Sequence, residues 1–152
     1  MILEACSVSY SVDRYMRKDI ATVDAEVSAV GASKIMLEKN VGYLVVLENA
    51  QPAGIVTERD LVLKVMAKAK DPSRVRVREV MSKPLVSIDP EATVEEAVRT
   101  MAKHGIRRLP VVRNNILYGI FTSRDLAKHF NEYEDRVTQD IIRHMSMFSL
   151  PF

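Results

Sequence analysis

Displaced by 65 residues, the chain lies over itself without a gap. "TERDL" at residues 57–61 falls on "TSRDL" at residues 122–126, each after a glycine-led apolar run, "GIV" and "GIF". The same register matches Val12 with Val77, Met16 with Met81, Asp24 with Asp89, Ala32 with Ala97, Met36 with Met101, Leu44 with Leu109 and Gly54 with Gly119. About sixteen identities fall over roughly fifty positions, where unrelated sequences give about three, so one supersecondary unit has been duplicated in tandem. A unit this short cannot bury its apolar face alone, and the two copies must share a core. The organisation read from the repeat is an N-terminal extension (1–11), a first repeat (12–70), a linker (71–76), a second repeat (77–130) and a C-terminal extension (131–152). In the last, Val137, Ile141, Ile142 and Met145 form an amphipathic stripe suited to docking on the core or on a sister subunit.

Within each copy the patterns change period in a fixed order. "DIATVD" and "PLVSID" read as short extended pieces, with Pro84 disfavouring helix just before the second. In "TVEEAVRTMAKHG", Thr93 is an N-cap with Glu96 three residues on, Val94, Ala97, Val98 and Met101 fall at helical spacing, and Gly105 is a stop. The first copy gives the same helix from Ser28 to about Lys39, with Asn40 at the stop. "GYLVVLENAQPAGIVT" and "RRLPVVRNNILYGIFT" are each two apolar strands around a polar turn, a β-hairpin. A second helix begins at the Thr-x-Arg-Asp phrase and runs from Leu61 to about Lys70, or from Leu126 to about Phe130. Strand, helix, strand, strand, helix, written twice, is an α/β (α+β) architecture.

The repeated phrase has two readings. As local structure, Thr57 and Thr122 are N-caps with Asp60 and Asp125 at N3, a capping-box variant that also complements the helix dipole. As chemistry, a glycine-led strand ending at a helix N-terminus offers backbone N–H groups to phosphate, and a carboxylate beside them accepts both hydroxyls of a ribose. Arg107 and Arg108, at the start of a strand in the second copy, supply charge-assisted bonds to phosphate oxygens or form a solvated strand end.

Other classes find less support. Twenty-two basic and 20 acidic residues are interleaved to a formal +2, so no basic stripe announces nucleic acid. That class is kept only as an alternative resting on "KAKDPSRVRVR" and the double arginine, beside a purely structural assembly module. His104, His129 and His144 have no ligand partner at close spacing, the single Cys6 has no catalytic partner in its stretch, and no nucleotide-loop fingerprint is present. We therefore expect neither an enzyme nor a metal site. No apolar run reaches the ~20 residues of a membrane span, and residues 1–11 lack the features of a signal peptide, so a cytoplasmic protein is expected.

The phrases "LVSIDPEATVEEAVRTMAKHGIRRLPVV" and "GIFTSRDL", with "TVDAEVSAVGASKIMLEKNVGYLVV" and "GIVTERDL", resemble the cystathionine-β-synthase (CBS) domain in two copies. The resemblance implies a Bateman module: tandem β-α-β-β-α CBS repeats packed through their sheets as a pseudo-twofold pair, forming two nucleotide clefts and dimerising into a flat disc. It implies no obligatory cofactor and a regulatory adenine nucleotide, AMP, ADP or ATP, with S-adenosylmethionine or NAD as further options. It further implies a homodimer that signals to an effector protein. In the second copy it assigns the ribose hydroxyls to Asp125, a ribose or phosphate oxygen to Thr122, the base pocket to Leu85 and Ser87, phosphate to Arg107 and Arg108, and the wall to Leu109 and Pro110. Arg124, beside the carboxylate, turns to phosphate or to solvent. The matching positions in the first copy are Ile20, Thr22, Tyr43, Thr57 and Asp60. There Gly42-Tyr43 replaces the arginine pair, so the first copy is expected to bind phosphate less well, to accept a less charged ligand or to stay empty, with Tyr43 available to stack on a base.

Overall fold

The computed structural model describes residues 10–129; the C-terminal stripe and the end of the second repeat's last helix lie outside the described residues. After a 3-10 turn at Val12–Arg14, the first repeat runs β1 (Thr22–Asp24), α1 (Ala29–Lys39), β2 (Tyr43–Glu48), β3 (Gln51–Thr57) and α2 (Glu58–Leu61). A wider helical turn over Val62–Met66 continues α2. A short helix, α3 (Val77–Val80), opens the second repeat, followed by α4 (Val94–His104), β4 (Arg108–Arg113), β5 (Ile116–Thr122) and a last helix, α5, over residues 123–129.

The caps lie where the side chains require them. The Ser28 hydroxyl accepts from Gly31 N at 3.1 Å to open α1, and Asn40 ends it in the left-handed region (φ 51°). Thr93 and Glu96 form a reciprocal capping box on α4, which Gly105 closes at φ 62°. Both hairpins turn on two residues of positive φ, Asn49-Ala50 and Asn114-Asn115, the twist that two-residue loops need to match the strands.

Strand order is β1-β2-β3 in the first repeat, with β1 parallel to β2 and β2 antiparallel to β3; the second has β4 antiparallel to β5. The extended piece expected at "PLVSID" shrinks to one parallel bridge, Ile88 to Val111, because Leu85 and Val86 leave the sheet and line a cleft instead. The second helix of the first repeat begins at the repeated phrase as expected but departs from expectation beyond it. It starts at Glu58, immediately after its cap, and changes to the wider turn at Val62, where Ala67 N donates to Val62 O at 2.8 Å. β-Branched Val62 and Val65 lie in this stretch and favour the regular α-helix less than unbranched residues do.

Each repeat's leading segment belongs to the other repeat's core. Val12 and Tyr15 pack with Val94, Ala97, Met101, Leu109, Val111 and Phe121 of the second repeat. Val75, Val77, Val80 and Met81 pack with Ala32, Met36, Leu44, Val46 and Val56 of the first. Backbone pairs repeat the exchange: Arg17 bridges Ile120 and Ser82 bridges Ile55, two contacts related by the 65-residue register. A third cluster, Tyr43, Val45 and Ile120 with Ile20, Ile55 and Leu117, joins the two sheets across the pseudo-twofold.

The duplicated glycines explain themselves at these crossings. A Cβ on Gly54 would stand 2.6 Å from Ser82 O, and one on Gly119 would stand 2.5 Å from Met16 Sδ and 2.8 Å from Arg17 O. Only a hydrogen fits between strand and crossing segment. Gly119→Ala is expected to cost about 1–3 kcal/mol, whereas Gly42→Ala, which meets the flexible end of Glu58, costs less. Urea unfolding of the two variants checks the order, and equal midpoints would contradict the crossing as described.

Candidate functional site

The two Thr-x-x-Asp phrases adopt the same local geometry. Asp60 Oδ2 accepts from Thr57 N and Thr57 Oγ1, both at 2.9 Å, and the Thr57 hydroxyl oxygen accepts from Asp60 N at 3.2 Å. Asp125 Oδ2 accepts from Thr122 N at 2.9 Å and Thr122 Oγ1 at 2.6 Å, and Asp125 N donates to Thr122 Oγ1 at 3.2 Å. The capping reading of the phrase is therefore realised twice. It leaves Oδ1 of each carboxylate facing outward from the cap, and a cation meets each one. Lys64 Nζ lies 2.8 Å from Asp60 Oδ1 and also donates to Val80 O at 2.7 Å. Arg17 Nε lies 3.2 Å from Asp125 Oδ1.

A cleft of about 610 Å³ opens between the repeats at the first of these phrases. Thr57, Glu58, Arg59 and Asp60 form one side, with Gly42 and Ile55. The other side comes from the second repeat: Ser82, Pro84, Leu85 and Val86 ahead of its sheet, and Gly105, Ile106, Arg107 and Arg108 at the entry to β4. Ile55, Leu85, Val86 and Ile106 give it an apolar wall, and Arg59, Arg107 and Arg108 give it positive charge. Among the described residues no carboxylate lies within 4.0 Å of these three guanidinium groups. A guanidinium's planar fork of N–H donors matches phosphate oxygens in pairs.

The structure thus groups the candidate residues differently from the reading by copies. Arg107, Arg108 and Leu85 line the cleft of Thr57 and Asp60. The hairpin register sets Arg108 opposite Thr122, and Ser123 N donates to Arg107 O at 3.0 Å, so sequence proximity pointed to the same cleft. The Arg108 side chain nevertheless reaches across the pseudo-twofold, its guanidinium 4.9 Å from the centre of the Tyr43 ring. Tyr43 faces the Asp125 side, through Arg17, while its neighbour Gly42 lines the open cleft. Leu109 is fully buried in the second core and Pro110 is buried in β4, so neither forms cleft wall. Ser87 is exposed and Thr22, in β1, pairs with Val45 of β2, both away from the lining of the open cleft; Ile20 packs in the intersheet cluster. Arg124 is exposed beside Asp125. Arg59, which the sequence, like Arg124, leaves between phosphate and solvent, lines the cleft; Glu58 lines it too and is the residue that sequence reasoning does not single out, although its place in the repeated phrase is the available signal.

Tyr43 occupies the centre of the pseudo-twofold, 7% exposed, where its hydroxyl accepts from Arg17 Nη2 at 3.3 Å. Burial pushes its phenol above the ordinary value of 10.0; the Asp125 carboxylate adds to the rise, and Arg17, Arg108 and Arg124 oppose it. The folded state thus holds this proton more tightly than the unfolded chain. The resulting stability is fully present below pH 10 and is lost as pH rises through the raised folded value. Ultraviolet titration should show one tyrosine ionising later than free tyrosine, and Tyr43→Phe should remove that late step. Separately, Thr57→Ala and Thr122→Ala should each cost about 1 kcal/mol through the lost cap, read by thermal unfolding.

Among the described residues no cluster of His, Cys, Asp and Glu has the disposition of a metal site, and no helix is long and apolar enough to cross a membrane. The CBS domain model matches residues 12–67 and 77–132. An uncharacterised protein of Methanopyrus kandleri is 41% identical over 122 residues, 79% of this chain and 62% of that protein, so the chain spans less than two thirds of that relative. The CBS domain-containing protein YhcV of Bacillus subtilis is 40% identical over 117 residues, 77% of this chain and 83% of YhcV. A hexameric CBS-CP12 protein from bloom-forming cyanobacteria superposes with a TM-score of 0.69 at 37% identity, covering 77% of this chain and 69% of its own. None of these matches indicates a catalytic family. With its duplicated strand-helix-hairpin-helix unit, its exchanged leading segments and both repeats matched, the chain belongs to the CBS domain family and carries the domain in tandem.

Proposed function

We propose that this chain is a regulatory module, without catalytic activity, that binds an adenosine nucleotide in the Asp60 cleft and relays its ligand state to a partner protein or through its own assembly. The observation that carries the reading is the 610 Å³ space in which three arginines, without carboxylate partners among the described residues, face an apolar wall and a Thr-x-x-Asp phrase. The volume falls within the roughly 300–1,000 Å³ of small-molecule sites. The apolar wall of Ile55, Leu85, Val86 and Ile106 suits a purine face. Asp60 offers its outward oxygen Oδ1 to a ribose hydroxyl, since Oδ1 keeps a lone pair beside the one that meets Lys64, whereas Oδ2 is taken up by Thr57. Arg59, Arg107 and Arg108 suit a diphosphate or triphosphate better than an uncharged tail, which favours ADP and ATP over AMP. A ligand that touches both repeats at once stabilises one relative placement of them, and only such differential binding lets it act as a signal.

Self-association is part of this reading. Leu37, Val62, Leu63 and Met66 expose apolar side chains on the first repeat's helices, Leu37 at 82% and Met66 at 72%. A CBS-CP12 relative is hexameric. We take a homodimer as the smallest assembly that would cover these side chains.

Isothermal titration with ATP, ADP, AMP, S-adenosylmethionine and NADH tests the ligand class. Each of Arg107→Ala and Arg108→Ala should weaken ATP about tenfold or more, the loss of one charge-assisted contact, and should weaken AMP less. Absence of heat with every adenosine ligand would leave the phrase a capping box and the chain an assembly module.

A further inference from the structure

The two clefts carry the same cap but differ in what stands across from the carboxylate. In the open cleft that place on the wall belongs to Ser82, whose backbone bridges Ile55. The 65-residue register puts Arg17 at the corresponding place opposite Asp125, with its backbone bridging Ile120 in the same way. The Arg17 side chain, 44% exposed, turns across to the carboxylate: Nε lies 3.2 Å from Asp125 Oδ1 and Nη2 donates to the Tyr43 hydroxyl at 3.3 Å. Asp125 is 6% exposed, and its other oxygen is committed to Thr122. Both oxygens of that carboxylate are thus satisfied from within the chain.

Lys64 is not an equivalent obstacle in the open cleft. It approaches Asp60 from the same helix, four residues on, is tied to Val80 O, and does not line the cavity. Arg17 approaches from the facing wall. Its twin position holds a side chain too short to cross.

We infer that Arg17 is an internal stand-in for ligand at Asp125, closing that cleft so that each chain takes one nucleotide, at Asp60. The inference rests on the nucleotide reading above and specifies which of the two related clefts is used. It also gives a reason for the tyrosine that stands where the second copy has Arg108: Tyr43 holds the closing arginine through its hydroxyl. Tyr43 then serves as the platform between the two sites, holding Arg17 through its hydroxyl and Arg108 over its ring.

Reciprocal exchange of the two wall residues tests this, with AMP as the probe and stoichiometry by isothermal titration as the readout. Wild type should bind one AMP per chain, Arg17→Ser two, and Ser82→Arg none, because the new arginine reaches Asp60 as Arg17 reaches Asp125. Ser82 is exposed, so Ser82→Arg does not disturb the core and tests the inference even if Arg17→Ser fails to fold. One site in wild type and still one in folded Arg17→Ser would overturn the latch alone, as would two sites in wild type or unimpaired binding by Ser82→Arg. No binding by any variant would overturn the nucleotide reading and the latch with it.

Discussion

The structure depends on a close crossing. Residues 16–17 pass over Gly119 and residues 81–82 pass over Gly54, each at a distance that admits no Cβ. The crossings let Val12 and Tyr15 complete the second core and Val75, Val77, Val80 and Met81 complete the first. Neither repeat holds all of its own interior, so the pair forms one cooperative body. The same crossings place residues 17 and 82 opposite the two Thr-x-x-Asp phrases, and the site chemistry therefore follows from the way the cores are closed.

The repeated aspartate shows how a structural device can be prepared for recognition. One carboxylate oxygen is spent on Thr N–H and hydroxyl groups, which fixes the rotamer and satisfies the first turn of the helix. The second oxygen is then held in a defined direction at the repeat boundary. A group positioned by its own cap needs little reorganisation when a ligand arrives, which is the condition for efficient binding. Capping and recognition are compatible roles for one side chain here. What separates the two copies is the neighbour that meets the outward oxygen.

Much of the fold was legible because short-range chemistry decides it. Ser28, Thr93, Asn40 and Gly105 mark helix ends through capping bonds and positive φ, and the apolar hairpins followed from alternation around polar turns. The repeat offset carried the organisation. Less legible was everything decided across the pseudo-twofold. Arg108 pairs with Thr122 in the β4–β5 register and Arg107 O accepts from Ser123 N, yet both residues line the cleft of Asp60. Leu109 and Pro110, next in the same strand, are turned into buried positions. Arg17 lies in a leading segment that reads as a simple lead-in, and its partner is 108 residues away at Asp125. No local pattern reports such pairs, although the register comparison of Arg17 with Ser82 was available once the wall positions were known.

The central claim is that the nucleotide cleft is shared, with the carboxylate from the first repeat and the phosphate-binding arginines from the second. Crystals of the chain grown with ATP test it most directly. The account predicts ATP in the cleft of Thr57 and Asp60, its ribose on Asp60 and its phosphates on Arg107 and Arg108, with Arg17 still on Asp125. ATP seated instead against Thr122 and Asp125, with Arg17 displaced, would contradict it.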